Sequence, residues 1–137
     1  MARSSVIGVN KHNVRLKRLT SAAATTRIGK VVYVAADKVR VEARRLIADG
    51  AIQGKGHQPS APGEAPNWEF GDLANGITTR KVGPMQAHTA SEAAHSDPLE
   101  NGTSKMAARP FMRPSTQNKR SEVHEDVANV VNDIIRR

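Results

Sequence analysis

The chain reads as an α+β protein, a small antiparallel sheet packed with a long N-terminal helix and a C-terminal helix and joined by long Pro/Gly-rich loops. Three observations predict this. Ile28, Val31, Val32, Ala35, Ala36, Val39, Ala43, Leu46 and Ile47 recur at the three-and-four spacing of an amphipathic helix. Val123, Val127, Val130, Val131, Ile134 and Ile135 repeat that spacing near the other end. Between them, residues 77–82 and 85–92 alternate and are rich in Thr around Gly83-Pro84, as two short strands do. Helices flanking such a hairpin make an α+β domain.

Taken in order, residues 1–12 lack periodicity and are expected to form a flexible arm. A helical pattern starts near Asn13 with Val14, Leu19, Ala22 and Ala23. Gly29 weakens its middle, which leaves open whether one helix runs from Asn13 or a second restarts near Thr25. Arg27, Lys30, Lys38 and Arg44 fall mainly on the face opposite the apolar stripe. Asp49-Gly50 supplies a stop, because glycine takes the left-handed cap conformation freely.

Residues 50–70 are punctuated by Pro59, Pro62, Pro66 and several glycines and read as a long loop; loops of that length are usually functional or disordered. Asp72 is placed to cap a brief helix. Residues 93–114 read as a second long loop, broken by Pro98, Gly102, Pro110 and Pro114. In the last helix Glu122, Glu125 and Asp126 precede Arg136-Arg137, an order that complements the helix dipole. No internal repeat divides the chain, so residues 1–137 are expected to form one domain.

Composition narrows the function. Hydrophobic residues make up 38% and aromatics 3%, so the core is thin, built from Val, Ile, Leu and Ala, and open to support from partner subunits. Cysteine is absent, which excludes disulfides and thiolate chemistry. No apolar run approaches the roughly 18–20 residues of a membrane span, and the first residues lack a secretory pattern, so no membrane partner is expected and a cytoplasm-like compartment is. The net charge of +8 is uneven, with +9 over residues 1–55 and −1 over residues 56–137. Such asymmetry suits a polyanion or an acidic protein surface. The basic half holds a single aromatic, Tyr33, and no reader motif, so nucleic-acid binding is the alternative and not the leading reading.

Signatures of catalysis are missing. Residues 50–56 superficially suggest a phosphate loop, yet the glycines of Gly50 and Gly54 enclose three residues where four are needed, and Gly56 follows Lys55 where Ser or Thr is required. His12, His57, His88, His95 and His124 are scattered, with no HExxH frame, and no serine sits in a G-x-S-x-G elbow. The expectation is a protein that is not an enzyme and has no cofactor and no metal.

Two strings stand out. One is His57-Gln58-Pro59-Ser60-Ala61-Pro62-Gly63-Glu64-Ala65-Pro66, leading into Phe70-Gly71-Asp72-Leu73-Ala74-Asn75-Gly76-Ile77. The other runs from Leu99-Glu100-Asn101-Gly102-Thr103-Ser104-Lys105-Met106 through Ala107-Ala108-Arg109-Pro110-Phe111-Met112-Arg113-Pro114. In this order, after a basic helix and before a terminal one, they resemble the tail-completion (head–tail joining) proteins of long-tailed bacteriophages over roughly residues 30–137. The chain departs from that pattern at Gly76, where Ser is usual, and at His95, where an aromatic is common.

The resemblance implies a structural virion protein, assembled in the host cytoplasm, that forms a ring, commonly of six, at the head–tail junction. Its implied partners are further copies of itself, the neck or head-closure protein, and the tail tube or tail terminator protein, with transient contact to DNA in the channel. Tail-terminator and head-closure rings are the neighbouring alternatives. Trp68, Phe70, Met106, Phe111 and Met112 are the candidate partner-interface anchors, with completion of the core an equal alternative for Phe70 and Phe111. Arg109 and Arg113, four apart around Phe111, are candidates to pair with a neighbour's carboxylates.

Overall fold

A computed structural model of the chain describes residues 7–49, 56, 58–68 and 71–137. Among these, five helices and a two-stranded antiparallel sheet make an α+β fold. The order is α1 (Val9–Leu19), α2 (Ala22–Ala48), α3 (Asp72–Asn75), β1 (Ile77–Gly83), β2 (Gln86–Ser91), α4 (Ser96–Asn101) and α5 (Met112–Arg136).

Residues 9–12 of the expected arm are helical, because α1 already begins at Val9, with the His12 N–H donating to the Gly8 carbonyl at 3.0 Å. Residues 1–6 lie outside the described residues. The first helical stretch divides neither at Asn13 nor at Thr25 but at Thr20–Ser21. Ser21 is extended, and its hydroxyl accepts from the Ala24 N–H at 3.1 Å and donates to the Arg18 carbonyl at 2.7 Å. N-cap chemistry therefore ends one helix and starts the next. Helix α2 stops at Ala48 as expected, whereas the proposed cap glycine, Gly50, lies outside the described residues.

Gly29 does not break α2. The hairpin turn lies against it, and a Cβ there would sit 2.1 Å from the Pro84 carbonyl oxygen. The hairpin pairs Ile77 with Ser91 and Thr79 with Thr89, with an irregularity between Lys81 and Gly83. The hydroxyls of Thr79 and Thr89 meet at 3.2 Å, and Thr89 also donates to the Ala36 carbonyl at 2.7 Å, fastening the sheet to α2.

Helix α5 runs antiparallel to α2 on another side. Arg27 pairs with Asp133, Lys38 with Glu122 at 2.7 Å and Asp126 at 2.5 Å, and Glu42 accepts from Asn118 Nδ2 at 2.9 Å. Arg27 and Lys38 are thus not merely solvated. Arg44 likewise donates to the Ala74 carbonyl at 2.8 Å, while Lys30 is exposed. Half-exposed pairs of this kind stabilise little individually, but their order along both helices matches an antiparallel α2–α5 pair.

The core lies at the C-terminal half of α2, where Ala43 and Ile47 meet Leu73, Ala74, Ile77 and Phe111. Trp68, Leu99 and Met112 pack on its margin. It is small and almost wholly aliphatic, as the composition requires. Asp72 does not cap α3; Gly71, at φ 87°, holds the cap position and Asp72 is the first helical residue. Residues 93–114 are less irregular than expected, since they include α4 and the first turn of α5. Pro114 sits in that first turn, where proline's missing N–H removes no helical bond.

Candidate functional site

The proline-rich string and the Ala-Arg-Pro-Phe string fold against each other. The Gly63 N–H donates to the Ala108 carbonyl at 2.9 Å, and Arg109 Nε donates to the Ser60 carbonyl at 3.0 Å. The Arg109 N–H in turn donates to the Leu99 carbonyl at 2.6 Å, and Trp68 is tied to the end of α2 by its N–H to the Ile47 carbonyl at 3.1 Å. Two left-handed glycines allow these approaches. Gly63 turns the first string at φ 85°, and at Gly102, φ 78°, a Cβ would meet the Ala108 nitrogen at 2.9 Å.

Between the strings lies a cleft of about 340 Å³. Ile47, Leu73, Trp68, Leu99 and Met106 supply its apolar wall, and Ser60, Asn67, Asp72, His95 and Arg109 its polar edge. Ser60 is buried, and its Oγ has no hydrogen-bond partner among the described residues. A buried hydroxyl left unpaired costs about 1–3 kcal/mol.

Of the sequence-derived candidates, Trp68, Met106 and Arg109 converge on this cleft. The Trp68 ring lies over Gly71, where a Cβ would come within 2.8 Å of it. Phe111 is fully buried beneath the cleft and belongs to the core, so it cannot reach a partner of the folded chain. Its neighbour Met112 packs half-buried on the same core. Arg109 lines the cleft, whereas Arg113 is exposed at the start of α5 and is not among the cleft's lining residues. Phe70 lies outside the described residues, as do Gly50 to Lys55 and His57.

One residue that holds this region together escaped sequence reasoning. The Glu100 carboxylate accepts the backbone N–H groups of Phe111 at 2.8 Å, Met112 at 3.0 Å and Arg113 at 2.9 Å. It anchors the second string to the beginning of α5. The available signal was Pro114, a residue typical of a helix's first turn, with a carboxylate upstream.

No family model, curated protein or solved structure matches this chain. Among the described residues, no group of three or more His, Asp or Glu side chains is placed to hold a metal ion, and no helix is long and apolar enough to cross a membrane. What the cleft offers chemically is apolar area rimmed by the Arg109 guanidinium, the Asp72 carboxylate, the His95 imidazole and the Asn67 amide, a combination that suits binding a protein segment.

Proposed function

We propose that the chain is a structural virion subunit that assembles as a ring at a phage head–tail junction, in the manner of the tail-completion proteins its sequence resembles. The observation that carries this reading is that the two strings bearing the resemblance are hydrogen-bonded to each other and build one cleft. Residues some 50 positions apart thus act as a single recognition surface, with Trp68, Met106 and Arg109 as its anchors. An apolar wall with a polar rim favours a neighbour's extended segment, whose side chain fills the cleft and whose polar groups meet Arg109, Asp72 and His95. The partners in this reading are further copies of the chain, the neck or head-closure protein, and the tail tube or terminator protein. Binding and sealing are the work; no reaction is required.

The test is electron microscopy of particles whose copy of this gene carries a stop codon at Lys30. DNA-filled heads beside separate, complete tails are expected. Normally joined particles would overturn the reading.

A further inference from the structure

The end of the molecule remote from that cleft has a different character. Helix α1, the first turns of α2 and the last turn of α5 meet there around a second cleft of about 400 Å³. Its floor is apolar, from Val14, Ala24 and Ile134, and Lys17, Arg18, Arg27 and Arg137 stand around it. Lys11, Arg15, Lys30 and Arg136 extend the basic region, and Asp133 is the single acidic side chain in residues 7–30 and 132–137. Asp133 is already engaged by Arg27 and by Arg137 at 3.3 Å. The chain's net positive charge is therefore gathered at one end.

Helix α1 is also under-packed. None of its 11 residues is buried, and Val9, Val14 and Leu16 are each close to half exposed. A helix this short has little stability of its own and depends on what covers its apolar side.

We propose that this cleft is a docking site for an acidic amphipathic helix of another protein. Charge selects an acidic occupant, and the apolar floor selects one that brings aliphatic side chains. Duplex DNA satisfies only the first condition, because phosphates have nothing to place on Val14 and Ile134. A second copy of the chain meets the first poorly, since on its two long helices every carboxylate but that of Glu125 is bonded to its own Lys and Arg, and Glu100 caps α5. A helix with leucines on one face and glutamates on the other meets both, seated in a groove between helices. The inference does not depend on the ring reading, because one subunit carries the whole cleft.

The test uses the full chain and a fluorescent peptide of about 16 residues, long enough for about four helical turns, with leucines at helical spacing and glutamates elsewhere. A peptide of the same composition with its order scrambled, a short duplex DNA and anionic vesicles are titrated beside it. The amphipathic peptide is expected to bind at least about tenfold more tightly than the scrambled one. Lys17→Glu and Ala23→Glu, both at the cleft, should each weaken it by about tenfold or more, with circular dichroism unchanged. Lys81→Glu, the same charge change on the exposed hairpin, should leave binding as it was. Equal binding of the two peptides, equal loss with K81E, or binding confined to DNA or vesicles would each overturn the proposal. So would self-association of the chain that Lys17→Glu abolishes and the amphipathic peptide fails to displace.

Discussion

Glu100 and Pro114 between them account for every backbone N–H that the start of α5 leaves without a helical partner. Glu100 accepts from Phe111, Met112 and Arg113, and Pro114, the next residue, has no N–H to satisfy. Four such groups open any α-helix, and here three are bonded and the fourth does not exist. The carboxylate also faces the positive end of the helix dipole. Because α4 carries the acid and α5 the donors, the cap joins two elements as well as finishing one.

Glu100→Ala should therefore destabilise the chain by about 1–2 kcal/mol, the range of a lost N-cap. Pro114→Ala should change it by only about 0.5 kcal/mol, since an extra donor at the edge of the helix can reach water. Urea unfolding of the two variants, followed by circular dichroism, measures both. Equal losses would mean that the cap is not what holds α5.

Gly29→Ala reverses the usual helix rule. On a free helix alanine would be better by about 1 kcal/mol. Here the new methyl would press on the Pro84 carbonyl, so a loss of about 1–3 kcal/mol is expected as the hairpin shifts. Thermal unfolding decides the sign, and a gain in stability would show that the hairpin is not seated on α2.

Acid should loosen the α2–α5 pair. The Arg45 guanidinium, followed by the Asn118 amide, holds the Glu42 carboxyl down to about 2 from its ordinary 4.5. A carboxylate depressed on folding stabilises the fold above its unfolded value, and that contribution fades as pH falls from about 4.5 through about 2. Asp133, bonded to Arg27, and Glu122, bonded to Lys38, are shifted in the same direction. The melting temperature should drop across this window, and Glu42→Gln should flatten part of the slope while lowering stability at neutral pH. Parallel curves for the two proteins would remove Glu42 from the account.

Phe111→Ala should cost about 3–5 kcal/mol, as for other buried aromatics, and leave little folded protein. Met106→Ala, half-buried at the cleft, should fold and instead fail to restore joined particles to the Lys30-stop phage. Comparing soluble yield with complementation separates core from interface. A well-folded F111A chain would show that Phe111 is not what holds the core.

The fold class, the two main amphipathic stripes and the Thr-rich hairpin were legible in the residues, because each is a local periodicity that burial of one face imposes. The two strings that build the candidate cleft were also visible in the sequence, through the family they resemble. Their contact was not. Gly63 meeting Ala108, and Ser60 meeting Arg109, join residues about 50 apart, which no local spacing encodes. The same is true of Glu100, whose role exists only once α4 is placed beside α5. Phe111 is identical in either list, interface or core, until packing assigns it. Gly29 and Pro114 carry the same lesson. By local propensity both are helix breakers, yet one makes room for a hairpin and the other begins a helix. Patterning determined which elements form and which faces are apolar; only the tertiary structure decided which polar groups meet, because hydrogen bonds and steric fit depend on distances that sequence separation does not carry.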